Sequence, residues 1–88
     1  MNIQYTAQFR KDYKRMKRRN KNPELLKRII GLIMQGKPLP PHYKDHKLLG
    51  EWSGHRDCHI EPDWLLIYRR SKDTMILERT GSHTDLFT

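Results

Sequence analysis

Apolar residues near the N-terminus alternate first with the period of a strand and then with that of a helix. Ile3 and Tyr5 alternate with polar residues, which predicts a short strand. Thr6 can cap a following helix, whose narrow apolar stripe consists of Phe9, Tyr13 and Met16. The other faces of this helix are basic and carry Arg10, Lys11, Lys14, Arg15, Lys17, Arg18 and Arg19. Such a run is often only a solvated face, but its density makes the helix a candidate for binding a polyanion.

A second helix is predicted from its start signal and its broad apolar stripe. The segment Asn22-Pro23-Glu24 supplies a cap, a proline at the first helical position and an acid near the positive end of the helix dipole. Gly36 and Pro38 end the helix. The apolar stripe is typical of core packing and contains Leu25, Leu26, Ile29, Ile30, Ile33 and Met34.

Beyond a proline-rich connection, residues 37–47, the pattern changes to that of strands. Polar and ionisable residues alternate from His55 to Glu61, and Pro62-Asp63 is typical of a turn. Trp64–Tyr68 has the composition of a strand buried on both faces, and a turn at 71–74 leads to a last strand at 75–80. We therefore expect a single α+β domain over residues 1–88, with two N-terminal helices packed on a mostly antiparallel four-stranded sheet.

Composition and charge limit the classes of function that the chain can have. Eighteen Lys and Arg against ten Asp and Glu give a net charge of +8, which favours a nucleic-acid partner over a membrane surface. The single cysteine, Cys58, excludes an internal disulfide and a cysteine-based metal site. The longest apolar run, Trp64–Tyr68, is far too short to span a membrane, and the N-terminus lacks the features of a signal peptide. We expect a cytoplasmic protein.

Five histidines in 88 residues suggest proton-transfer chemistry, because histidine titrates near neutrality. His55 and His59 have the i, i+4 spacing of a helical metal site, but on a strand that spacing separates them by about 13 Å. Antiparallel strands can instead gather His59, Asp63, Arg79 and His83 on one side of a sheet. Cleavage of RNA by transesterification needs a base, a cation and an acid. The nucleophile belongs to the substrate, so we expect neither a metal nor another cofactor.

Three segments resemble a known family: YKDH at residues 43–46, GHRDCHIEPDW at 54–64 and ERTGSH at 78–83. Together they resemble the YafQ branch of the RelE toxin superfamily, and the likeness extends over essentially the whole chain. The resemblance implies a RelE-like fold and a toxin of a toxin–antitoxin pair. Such a toxin binds the ribosomal A site and cleaves the mRNA there. It is neutralised by a small antitoxin, often a DNA-binding repressor.

The resemblance also assigns residues to the site. It places the active-site histidines at His46, His59 and His83 and the aspartate at Asp63. We expect His83 to be the general acid and either His59 or Asp63 to be the base, with His46 supporting the phosphate. The residues expected to bind substrate or ribosomal RNA are Arg79, Trp64 and Phe87 around the site, Lys44 in the connection, and Lys14, Arg15, Lys17 and Arg18 on the first helix. His42 and His55 receive no role.

Other interpretations stay open at this point. Trp64 can be a core residue, and Arg79 can pair with a carboxylate such as Asp85. A non-catalytic nucleic-acid-binding protein would explain the charge but not the histidines. The related ParE toxins poison DNA gyrase, and that activity would not need His46, His59 and His83.

Overall fold

The computed structural model describes residues 2–87, which form five strands and three helices. The elements are β1 (Asn2–Tyr5), α1 (Ala7–Arg18), α2 (Pro23–Met34), β2 (His46–Lys47), β3 (Arg56–Glu61), β4 (Trp64–Ser71), β5 (Thr74–Gly81) and α3 (His83–Phe87). Two short 3-10 turns, Pro41–Tyr43 and Gly50–Trp52, flank β2. Between residues 2 and 87, no helix has the length and apolar character needed to cross a membrane.

Both predicted helix starts are confirmed, because local side chains satisfy the free N–H groups of each first turn. The Thr6 hydroxyl oxygen accepts from the Phe9 N–H at 2.9 Å and also donates to the carbonyl of Glu78 at 2.9 Å. The Asn22 side chain accepts from the Glu24 N–H at 3.0 Å. Thr6 thereby caps α1 and ties its start to β5.

The strands form one sheet in the order β1-β5-β4-β3-β2. The β1–β5 pair is parallel and the other pairs are antiparallel, as the mostly antiparallel prediction required. The predicted count of four strands is wrong by one, because part of the expected proline-rich connection forms β2. This strand has two residues, too few for an alternating pattern, and pairs with β3 through His46 opposite Asp57 and Lys47 opposite Arg56.

Helices α1 and α2 cover one face of the sheet and form the main core with it. Buried residues of the helices, including Phe9, Met16 and Ile29, pack with Trp64, Leu66 and other residues of the strands. A smaller cluster joins Leu65 and Ile67 to Leu86 of α3. Successive strand residues point to opposite faces, so this cluster lies on the other side of the sheet. The two-helix prediction missed α3, since five residues are too few to show a helical period.

Asp12 links α1 to β5. This carboxylate is 1% exposed and accepts from the Arg79 guanidinium at 2.8 and 3.1 Å and from the Thr80 N–H at 3.2 Å. Arg15 and Gln8 complete its hydrogen bonds at 3.0 Å each. Arg79 therefore pairs with a carboxylate, but the suggested partner Asp85 was wrong. Asp85 instead binds Arg19, at 2.7 and 3.3 Å, and so joins α3 to α1.

Candidate active site

Three of the five histidines come together at one end of the sheet. His46 lies on the edge strand β2, His59 on β3, and His83 is the first residue of α3. The ring centroids of His46 and His59 are 6.5 Å apart, and those of His59 and His83 are 5.4 Å apart. The fold therefore gathers the histidines that the resemblance singled out, with His59 in the middle.

Asp63 fixes the orientation of His83. It lies in the two-residue turn between β3 and β4, where its Oδ1 accepts from the His83 ring Nδ1 at 2.6 Å and from the His83 backbone N–H at 2.9 Å. These bonds from His83, the backbone one first, hold the pKa of Asp63 below its usual range. Because Nδ1 carries its proton toward Asp63, Nε2 is the nitrogen that His83 presents outward.

His59 has the properties of a base. Partial burial lowers its pKa, and the positive charges of His83, Lys44 and His46 lower it further. The ring is therefore predominantly neutral at physiological pH and can accept a proton. Asp63 is less suited to this role, since the oxygen that binds His83 is already engaged.

His46 is held by the loop that precedes it. Its Nδ1 lies 2.6 Å from the Lys44 carbonyl oxygen, and Lys44 adopts a left-handed conformation with φ of 51°. Asp45 secures this loop by accepting from the Arg56 guanidinium at 3.1 Å and from the Tyr68 hydroxyl at 2.8 Å. The Nδ1–H of His46 is thus committed to the backbone.

His59 and His83 border an open cleft of about 520 Å³, and His46 is not among the residues that line it. Its lining is formed by His42, Lys44, His59, Ile60, Glu61, Pro62 and His83. Lys44 is exposed and places a positive charge at the cleft, as a phosphate-binding role requires. His42, which received no role from the sequence, also lies here and packs against Tyr43 with ring centroids 4.1 Å apart. Its i, i+4 spacing to His46 suggested only a metal pair, which the proline-rich loop made improbable.

Two residues expected around the site have structural partners instead. Trp64 is completely buried, and its indole N–H donates to the Thr80 hydroxyl at 2.9 Å. It cannot stack on a substrate, so the predicted substrate-binding role is corrected to the core interpretation. Arg79 uses Nε and one terminal nitrogen to bind Asp12, which raises the pKa of its guanidinium. The carboxylate of Asp12 therefore compensates the positive charge of Arg79 in the free protein.

Phe87, unlike Trp64, is exposed and can contact a substrate. Its side chain is 44% exposed and follows His83 by one helical turn, so the two residues share a face of α3. An exposed aromatic ring that shares a helix face with a site histidine can stack on a base.

The basic residues of α1 divide into two groups. Lys14, Lys17 and Arg18 are exposed, whereas Arg15 is half-buried and binds Asp12 at 3.0 Å. Lys14 and Lys17 also border a groove with the aromatic rings of Tyr5, Phe9 and Tyr13, and none of the groove's lining residues belongs to the histidine cleft. Arg15 is therefore partly structural, whereas Lys14, Lys17 and Arg18 are exposed and can contact phosphate; Lys17 Nζ also lies 5.4 Å from the centroid of the Tyr13 ring.

Comparison with known proteins decides the family. The model of the family described as "Bacterial toxin of type II toxin-antitoxin system, YafQ" matches residues 1–88. The chain belongs to the YafQ toxin family. The mRNA interferase toxin YafQ of Escherichia coli K12 is 45% identical over 86 residues, covering 97% of this chain and 94% of that protein.

Solved structures extend the likeness to the whole fold. The crystal structure of the Escherichia coli DinJ–YafQ complex matches with a TM-score of 0.91 at 44% identity, covering 99% of this chain and 98% of that one. The crystal structure of a metal-bound toxin from Helicobacter pylori matches with a TM-score of 0.93 at 38% identity and covers 99% of both chains. The YafQ fold thus includes all the elements that carry the histidine cluster.

Proposed function

We propose that this chain is an endoribonuclease toxin that cleaves mRNA in the ribosomal A site and is neutralised by a cognate antitoxin. One observation carries the proposal: the ring of His83, which is bonded to Asp63, lies 5.4 Å (between ring centroids) from the ring of the neutral His59 at an open cleft that Lys44 also lines. This arrangement provides two proton-transfer groups side by side. The names of its YafQ relatives, an mRNA interferase and a toxin bound to DinJ, support the same activity and the same kind of partner.

In the proposed reaction, His59 takes the proton from the substrate 2′-OH as that oxygen attacks the adjacent phosphorus. His83, oriented by Asp63, delivers a proton from Nε2 to the departing 5′ oxygen. Lys44 and His46 stabilise the negative charge that develops on the phosphate oxygens. Phe87 stacks on a neighbouring base. The products are a 2′,3′-cyclic phosphate and a free 5′-OH.

The proposed reaction needs no metal, because the substrate supplies the nucleophile and histidines supply the protons. Because the similar toxin from Helicobacter pylori was crystallised with a metal, the claim that cleavage needs no metal requires its own test. Protein treated with a chelator and returned to magnesium buffer should retain its single-turnover rate, with bound transition metal measured by mass spectrometry. Activity that returned only with one equivalent of a transition metal would contradict the proposal.

The activity is tested by single-turnover cleavage of mRNA on programmed ribosomes. Replacing His83 with Ala should slow cleavage by about 10²- to 10⁴-fold, the usual contribution of a general acid. His55→Gln is the matched control, since His55 lies near Glu78 and not in the cleft, and it should cleave at nearly the wild-type rate. Circular dichroism checks the fold of each variant. Wild-type cleavage by His83→Ala would remove His83 from the mechanism.

Action on translation and neutralisation by an antitoxin can both be tested in cells. Expression of the chain alone should arrest translation, and co-expression with the product of the neighbouring antitoxin gene should restore growth. Continued translation together with DNA damage would instead indicate gyrase as the target.

A further inference from the structure

The cleft beside His59 and His83 is also lined by residues that the proposed reaction does not use: His42, Ile60, Glu61 and Pro62. Residues 59–61 are consecutive on β3 and all line the cleft, although the side chains of a regular strand alternate between its two faces. The pairing of β3 with β4 shifts between His59 and Glu61, and such a bulge re-aims side chains. The bulge therefore adds further side chains to the cleft next to the proton-transfer groups.

Glu61 has the wrong charge for binding phosphate, yet it lines the same cleft as Lys44. Its Oε1 accepts from Lys21 Nζ at 3.2 Å, and the two side chains are 38% and 35% exposed. An ion pair this exposed contributes little to stability. The bond uses one lone pair of Oε1, so the carboxylate keeps the capacity to accept hydrogen bonds from a ligand. Neither stability nor phosphate binding accounts for a carboxylate at this position.

His42 adds an aromatic ring to the cleft. It is the middle residue of the 3-10 turn Pro41–Tyr43, where the Tyr43 N–H donates to the Pro40 carbonyl at 3.0 Å. Tyr43 packs against the main core, and the ring of His42 lies against it with centroids 4.1 Å apart. The turn thus holds an exposed ring at the cleft, and such a ring can stack on an unpaired base.

An aromatic ring together with a carboxylate suits guanine better than the other bases. Stacking tolerates any base, whereas a carboxylate accepts only from N–H groups on the edge of the base. Guanine presents two adjacent donors, N1–H and N2–H, to the two oxygens of one carboxylate. Adenine and cytosine present an amino group beside an acceptor nitrogen, and uracil presents one N–H between two carbonyl oxygens. Each of these three bases therefore turns an acceptor toward the carboxylate.

We propose that His42 and Glu61 form a base-binding subsite for guanine in the mRNA, next to the scissile phosphate. The base stacks on His42 and donates from N1–H and N2–H to Glu61, which Lys21 holds in place. His42 supplies affinity and Glu61 supplies selectivity. The subsite rests on the proposed function for its role in cleavage, whereas its base preference can be measured by binding alone.

The preference is tested with two uncleavable 2′-O-methyl pentanucleotides of uracil, one of which has guanine as its central base. In fluorescence anisotropy, the wild type should bind the guanine oligonucleotide about tenfold more tightly, in the lower part of the range for a bidentate contact because the cleft is open. Glu61→Gln should reduce the preference to less than twofold. Its amide accepts from an N–H and donates to the neighbouring carbonyl oxygen, and guanine and uracil both offer that pair.

Two further variants complete the binding test. Glu24→Gln is the matched control, since Glu24 also pairs with a lysine, at 3.4 Å from Lys27, but does not line the cleft. It should keep the full preference. His42→Ala should weaken the binding of both oligonucleotides by about fivefold or more, because base stacking is lost. Unchanged affinity in His42→Ala would remove His42 from the subsite.

The role in cleavage is tested with programmed ribosomes that carry each of the four bases on either side of the cut. On one side, the wild type should cleave the guanine substrate about tenfold faster than the uracil substrate at limiting toxin. Glu61→Gln should lose this advantage while its rate on the uracil substrate stays within twofold. Damage to the fold or to the proton-transfer groups would slow both substrates.

The outcomes separate the subsite from the proposed function. Equal affinity of the wild type for the two oligonucleotides, or an undiminished preference in Glu61→Gln, would overturn the subsite. A protein that prefers guanine but cleaves no mRNA refutes the proposed function and keeps the subsite. A protein that cleaves all four substrates alike keeps the function and refutes the role of the subsite in it. If Glu61→Gln fails to fold, Glu61→Ala removes the same acceptors.

Discussion

Replacing Asp12 with Asn should destabilise the protein strongly, because Asp12 is the most completely bonded buried charge in the described structure. Asn keeps the shape but turns one acceptor oxygen into an NH₂ group that faces donors. The Arg79 guanidinium and the Thr80 N–H would then lose their acceptor. Removing one member of a buried ion pair costs about 3–5 kcal/mol.

The lower end of that range is expected here. The Arg79 side chain is 23% exposed, so water can solvate part of the charge left behind. A loss of about 3 kcal/mol is a large share of the 5–15 kcal/mol typical of a domain. It should lower the melting temperature by about 12–24 °C, at about 4–8 °C per kcal/mol for a domain of this size.

Urea unfolding at pH 7, followed by circular dichroism, measures the free energy directly, with Asp73→Asn as a control that should change it by less than about 0.5 kcal/mol. The double variant Asp12→Asn/Arg79→Gln should recover part of the loss, because it also removes the stranded cation. A loss under 1 kcal/mol for Asp12→Asn alone would refute the reasoning. It would also return Arg79 to consideration as a residue free to bind phosphate.

Three further predictions concern the surface, α3 and pH. Changing three exposed cations of α1 to Gln should make ribosome binding less dependent on salt. In a plot of log binding constant against log salt concentration, measured by filter binding, the slope should become shallower by about 0.7–0.9 for each lost phosphate contact. An unchanged slope would mean that these side chains are only solvated. The cations are Lys14, Lys17 and Arg18. Gly81→Ala should reduce cleavage by displacing His83, since a Cβ there would lie 2.9 Å from Asp85 atoms; a fully active variant would show that α3 adjusts. Burial raises the pKa of Asp57 to about 6 against an ordinary 3.8, which means that the native state binds more protons than the unfolded chain between these values. The contribution of Asp57 to stability should therefore fall by about 3 kcal/mol as pH rises through this window, and chemical denaturation of Asp57→Asn should lack this contribution.

The elements determined by local chemistry could be predicted from the sequence. Thr6 and Asn22 cap their helices because each side chain bonds to a backbone N–H two or three residues away. The Pro62-Asp63 turn and the alternation before it likewise depend on neighbouring residues. The strand β2 and the helix α3 could not be predicted, since neither is long enough to show a period and both depend on distant partners.

Contacts between residues far apart in the sequence also limited how much of the candidate site could be predicted. Asp12 and Arg79 are 67 positions apart, and nothing local indicates that Asp12 rather than Asp85 binds the arginine. A strand buried on both faces gives no alternation, so the sequence left open whether Trp64 belongs to the core or to the cleft. His59 and His83 were candidates from the strand pattern, whereas His46 came from the family resemblance, and the pairing of β2 with β3 explains how His46 reaches His59.

The central claim, acid–base cleavage by histidines, is tested most directly by the end groups of cleaved mRNA. Ribosome-bound mRNA is cut in a single turnover by wild-type protein, and the fragments are analysed by mass spectrometry. Attack by the substrate 2′-OH predicts a 2′,3′-cyclic phosphate or its 3′-phosphate product upstream and a free 5′-OH downstream. A 2′-O-methyl group at the nucleotide before the cut should abolish cleavage. A 5′-phosphate on the downstream fragment, or undiminished cutting of the 2′-O-methyl substrate, would contradict the roles given to His59 and His83.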